Sequence, residues 1–149
     1  MEYSFSEIFY NQPVIAVFIS WFLAQFLKVI INFVKEKKLD FKWFVSIGGF
    51  PSSHSAAVSA LATSLGLKYG FGSGFFAIAL VLAGLFILDA RVIRKTAGKQ
   101  AEILNQIVED LYKKRGLKFE RLRELLGHTS LEVFVGIVLG IVIGILVTY

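Results

Sequence analysis

Two histidines, His54 and His128, are the only imidazoles in a chain of 149 residues that has no cysteine. A zinc site of the usual thiolate–imidazole kind is therefore not expected, and neither a disulfide framework nor a cysteine nucleophile is available. What remains is acid–base or nucleophilic work by imidazole. His128 stands four residues before Glu132, a spacing that lets the two touch on one helix face. A carboxylate on one ring nitrogen sets the tautomer and leaves the other nitrogen to act as nucleophile or base. Glu132 has a plainer reading too, as an acid that caps the start of its own helix. Both stay open at this level.

His54 closes the run Gly48-Gly49-Phe50-Pro51-Ser52-Ser53-His54. Glycines allow close backbone approach to a ligand. Proline followed by serines opens a helix whose N–H groups and dipole favour an anion. Ser52 and Ser53 are thus candidate phosphate ligands, with an ordinary capped helix start as the alternative. Arg91 and Arg94 add planar forks that suit phosphate. Lys28 belongs to a stripe of Trp21, Gln25, Lys28 and Asn32, spaced i, i+4, i+7 and i+11 in an apolar helix. Intramembrane ionisable groups face the bundle and mark function. Lys28 has three roles open: a phosphate contact, a buried ion pair, and snorkelling to the headgroups from about 9 Å of helix rise before Val34, the ion pair being the plainest. Asp89 is a partner for Lys28 or for Arg91 and Arg94.

These residues need elements to hold them together. Hydrophobic residues make up 56% of the chain and charged residues 18%, against roughly 45–50% and 25% in soluble domains. The apolar runs predict an all-α integral membrane bundle, one domain over 1–149, with about four spans near 14–34, 54–69, 73–92 and 130–148. No cleavable signal peptide is expected, because the first run follows acids rather than a basic segment. The water-loving stretch 91–127 carries apolar residues at helical spacing and predicts two amphipathic helices with a turn near Gly116. Fourteen of the sixteen basic residues fall in the two loops that follow the first and third spans. Basic loops stay cytoplasmic, so both termini are expected outside. His54, His128, Arg91 and Arg94 would then share the cytoplasmic face. Acids interleaved with the bases argue against a nucleic-acid partner. Gly136, Gly140 and Gly144 continue the His128–Glu132 stripe at four-residue spacing, which marks a face packed closely on another helix.

In combination the motifs resemble the type 2 phosphatidic acid phosphatase superfamily, in its small divergent branch related to acid phosphatases and vanadium haloperoxidases. Pro51-Ser52-Ser53-His54 is similar to the Pro-Ser-Gly-His motif, with serine at the glycine position. His128-x-x-x-Glu132 is similar to the His-x-x-x-Asp element, with glutamate for aspartate. The blocks Asp89-Ala90-x-x-x-Arg94-x-x-x-Gly98-x-Gln100-Ala101 and Gly127 to Phe134 also resemble the divergent branch, so the resemblance spans nearly the whole chain. The superfamily's Lys-x6-Arg-Pro element has no counterpart: seven residues after Lys42 stands Gly49. Its arginine six residues before the nucleophile is Leu122 here, flanked by Arg121 and Arg123. Arg91 and Arg94 are the expected substitutes.

The resemblance implies a metal-independent, cofactor-free hydrolase acting on a lipid phosphate monoester or diphosphate. His128 would attack phosphorus and form a phosphohistidine, Glu132 would orient it, and His54 would protonate the leaving alkoxide and then activate water. Ser52, Ser53, Arg91, Arg94 and Lys28 would hold the phosphate. Membrane lipids are the expected surroundings, in a bacterial cell membrane. Four spans are fewer than the superfamily's usual six, so a homodimer completing the bundle is an expectation. The alternative is a non-catalytic membrane protein that binds phospholipid headgroups or scaffolds a partner.

Overall fold

The computed structural model describes residues 5–37, 49–113 and 129–149. Among them the chain is all helical, with no strand. A 3-10 turn, Phe5–Tyr10, leads into α1 (Gln12–Glu36), followed by α2 (Ser53–Tyr69), α3 (Gly74–Leu88), α4 (Arg94–Lys113) and α5 (Ser130–Thr148). A π-helical segment, Asp89–Ile93, joins α3 to α4.

Local chemistry sets these boundaries. Pro13 sits in the first turn of α1, where its missing N–H loses nothing. Lys37 adopts φ 52° and stops the helix. Ser52 caps α2 and Ser73 caps α3, each accepting the N–H three residues on. Thr129 and Glu132 form a reciprocal capping box on α5.

By length and composition α1 and α5 are able to cross a membrane, at 25 and 19 residues. Helix α3 is as apolar but has 15 residues. The third span, expected over 73–92, leaves α geometry at Asp89 and passes through the π turn directly into α4. The basic region expected as a loop from residue 91 therefore begins as helix. α4 is the first of the two amphipathic helices expected there; the second lies outside the described residues.

α2 is the central element: α1, α3 and α5 all pack on it, and α1 also packs on α5. α3 leans on α2 and stands off from α5. The interior is inverted relative to a soluble domain. Large apolar side chains such as Phe18, Phe22, Val81, Leu85 and Leu146 face outward, while Ser20, Gln25, Lys28, Ser52, Ser53, Ser55 and Ser64 are buried. Hydrocarbon outside and hydrogen-bonded polar groups within is the arrangement expected where lipid replaces water.

Small residues allow the close contact. A Cβ on Gly136 would strike the Ser52 carbonyl oxygen, and one on Gly140 would strike that of Ala56. Gly144 meets the Thr63 side chain in the same way, at 2.8 Å. The glycine stripe thus faces α2, as its spacing predicts. At the far end Thr148 Oγ1 donates to Ser64 Oγ at 2.7 Å and ties α5 to α2 again.

Candidate functional site

The close α2–α5 contact brings the first turns of the two helices together. The Ser52 N–H donates to the Glu132 carbonyl at 3.0 Å. This backbone link joins the two motif segments, which are eighty residues apart. Gly49 has φ 101°, which a side chain would disfavour, and the Phe50–Pro51 bond is cis. Ser52 Oγ accepts from both the N–H and the hydroxyl of Ser55, at 3.4 and 3.0 Å. Ser52, Ser53 and Ser55 are all buried.

From the other side α1 delivers a cation. Lys28 is 0% exposed and is the largest fully buried side chain described. Its Nζ donates to Ser53 Oγ at 3.1 Å, in the first turn of α2, where the N–H groups and the dipole already favour negative charge. Asn32 Nδ2 donates to the Lys28 carbonyl at 2.8 Å and fastens the next turn. Gln25, on the same face, is also buried, and its Oε1 lacks a partner among the described residues. Trp21, at the head of the same stripe, is exposed rather than buried.

His54 occupies the same first turn of α2, half-buried, with Nδ1 fully enclosed. At 100° per residue it lies away from the face that meets Gly136 and next to the face that meets Lys28. Glu132 realises the plainer of its two readings: Oε2 accepts from the Thr129 N–H at 3.1 Å, and the Glu132 N–H donates to Thr129 Oγ1 at 3.3 Å. His128, and with it any contact to Glu132, lies outside the described residues. So do the side chains of Arg91 and Arg94, whose backbones stand in the π segment and at the start of α4.

The structure thus joins Lys28, Ser52 and Ser53 with His54 and the backbone of Glu132 at one end of α2. Ser55 was not foreseen as part of this group. Its signal was present in the serines at 52, 55 and 59, which recur at helical spacing on one side. The Lys28–Ser53 bond had no signal in the sequence, since it depends on how α1 is rotated against α2. No three His, Cys, Asp or Glu side chains cluster as a metal would require among the described residues. A buried ammonium beside hydroxyls at a helix N-terminus is able to hold an oxyanion.

Comparison with known proteins covers most of the chain. The sequence model described as the Divergent PAP2 family matches residues 9–143. The Uncharacterized membrane protein YuiD of Bacillus subtilis is 36% identical over 154 residues, which is 96% of this chain and 98% of that protein. No solved structure matches.

Proposed function

Since the chain belongs to the divergent PAP2 family, we propose that it is a membrane-embedded, metal-independent lipid phosphatase whose phosphate sits at the N-terminus of α2. The observation that carries this reading is the fully buried Lys28 ammonium bonded to Ser53. Lys28 supplies the cation that the missing Lys-x6-Arg-Pro element would have contributed. The buried Gln25 amide beside it, unpartnered at Oε1 among the described residues, marks polar space that a ligand or water would fill.

In this reading the Ser53 hydroxyl yields Lys28 to a phosphate oxygen, and the first N–H groups of α2 take up another. His128 attacks phosphorus as the bond to the lipid oxygen breaks, and His54 gives that oxygen a proton. Water then attacks the phosphohistidine and gives its proton to His54, releasing phosphate and restoring both imidazoles. Arg91 and Arg94 add charge to the phosphate. All four helices other than α4 cross the bilayer, with the basic loops and the site on the cytoplasmic side. That orientation fits a phospholipid phosphomonoester made on the cytoplasmic leaflet better than a carrier diphosphate presented outside.

A second reading, headgroup binding without turnover, is favoured by the engagement of Glu132 in its own cap. One experiment separates the two. Purified protein in nanodiscs is offered a panel of lipid phosphates with and without orthovanadate, and acid-labile phosphohistidine is followed. Catalysis predicts vanadate-sensitive phosphate release. It also predicts phosphoenzyme that accumulates in His54→Ala, given an activated aryl phosphate, and is absent from His128→Ala. Vanadate-displaceable lipid binding without release, in wild type, establishes the binder instead.

A further inference from the structure

One face of α2 leads from the polar cluster into hydrocarbon. Ser52, Ser55, Ser59 and Ala62 recur at three- and four-residue spacing and so fall on the same side of the helix. Beyond Ser59 this face floors a groove of about 530 Å³ that opens between α3 and α5. Leu80 and Ile87 wall it from α3, and Ile137 and Ile141 from α5. Phe71 and Phe76, edge to face at 5.1 Å, bound it at the α2–α3 turn. Gly84 lies in the α3 wall, where an added Cβ would meet nothing within 4 Å. A glycine in mid-helix weakens the helix, and here it widens the groove.

We propose that this groove seats one hydrocarbon chain of the anionic amphiphile whose phosphate lies at the N-terminus of α2. The inference rests on the reading of that N-terminus as a phosphate site. Its inner end is close to the cluster: Ile137 is about 8 Å of helix rise past Glu132, and Ser59 about 9 Å past Ser53. A head at Ser53 and a chain entering at Ser59 are thus a short linker apart. The lining decides the occupant: it is almost wholly aliphatic and aromatic and the groove is open along one side, so an alkyl chain can enter it from the surrounding hydrocarbon. Because the chain comes from lipid rather than water, the gain is packing contact, not the hydrophobic effect. The groove therefore selects position more than it adds affinity.

The test is photo-crosslinking of the full chain in nanodiscs with an alkyl phosphate bearing a diazirine near its chain end, beside a neutral alcohol of equal chain length. The phosphate probe is expected to label Leu80, Ile141 and Ile145, displaceably by vanadate, while the alcohol spreads over outward residues such as Phe18, Val81 and Leu146. Gly84→Leu, which fills the groove, is expected to cut groove labelling by roughly tenfold, as close packing excludes a guest. Gly72→Ala, in open space at the turn, serves as the control. Should Gly84→Leu fail to fold, Ile141→Trp makes the same obstruction from the α5 side. Vanadate-displaceable labelling outside the groove overturns the groove and leaves the phosphate site standing. Groove labelling that is equal for both probes means ordinary boundary lipid and also overturns it. Labelling that vanadate displaces nowhere shows instead that the phosphate reading has failed, and this inference with it.

Discussion

The two ends of α2 are held by different forces. Its first turn is buried among hydrogen-bonded groups: Lys28 on Ser53, Ser55 on Ser52, and the Ser52 N–H on the Glu132 carbonyl. Its last turns carry one side-chain hydrogen bond to α5, Thr148 on Ser64, and otherwise meet α3 through apolar packing, with Phe71 and Phe76 over Gly66 and open hydrocarbon space alongside. Directional bonds fix the position of polar atoms to a fraction of an ångström, which the proposed phosphate chemistry needs. Dispersion contacts are non-directional, so the apolar end tolerates variety in what lies against it. One helix thereby joins a specific end to a permissive one, and α5 spans both through its glycines.

That contrast is open to attack. The largest effect is expected at the seam the two ends share. Gly140→Leu drives a side chain into the Ala56 backbone, which has no rotamer with which to yield, and should destabilise the fold by about 3 kcal/mol. Thermal unfolding in detergent measures this, and a stability equal to wild type would mean that α5 does not lie on α2 as described. Next comes Lys28→Met, which keeps the volume and removes the charge. If Lys28 serves a ligand, vanadate affinity should fall roughly 10–100-fold, the worth of a charged hydrogen bond, with stability unchanged or raised. If it serves a structural ion pair, loss of one partner should cost about 3–5 kcal/mol, so the two readings separate in a single melting curve.

Smaller changes sharpen the picture of the polar end. Ser53→Gly restores the superfamily's residue and removes one acceptor of Lys28. A stability loss of about 1 kcal/mol is expected, with vanadate binding retained or tightened because the Ser53 hydroxyl no longer competes for Lys28. Weakened binding would instead make the Ser53 hydroxyl itself a ligand. The smallest effect is expected from Thr129→Ala, which removes one half of the exposed α5 capping box and should cost about 0.5 kcal/mol. A larger loss would show that this cap also sets the Ser52–Glu132 link.

Much of this architecture is legible in the residues alone. Gly136, Gly140 and Gly144 announce a close-packed face because only small residues at that spacing let helix backbones meet. Ser52, Ser73 and Thr129 mark helix starts because a side-chain oxygen must satisfy the first N–H groups. Gln25 and Lys28 read as buried because an amide and an ammonium in an apolar helix avoid lipid. Other features depend on neighbours. Trp21 shares the stripe but faces outward, because amphipathic rings tolerate the periphery where an ammonium does not. The π turn at Asp89–Ile93 ends α3 earlier than hydropathy suggests, since hydropathy does not register a change of hydrogen-bond step.

Sequence by itself determined the helical class, the outward hydrocarbon, the glycine seam and the candidate residues, all of which follow from composition and periodicity within a single helix. Family membership followed from the motifs in order. Only the tertiary structure decided that Lys28 reaches Ser53, that Ser52 binds the backbone of Glu132, and that α3 stands away from α5 to leave a groove. Each of those depends on the rotation and crossing of two helices separated by loops. Periodicity names the face a helix buries, but the partner atom on the other helix is settled by side-chain volumes at the seam, summed over both.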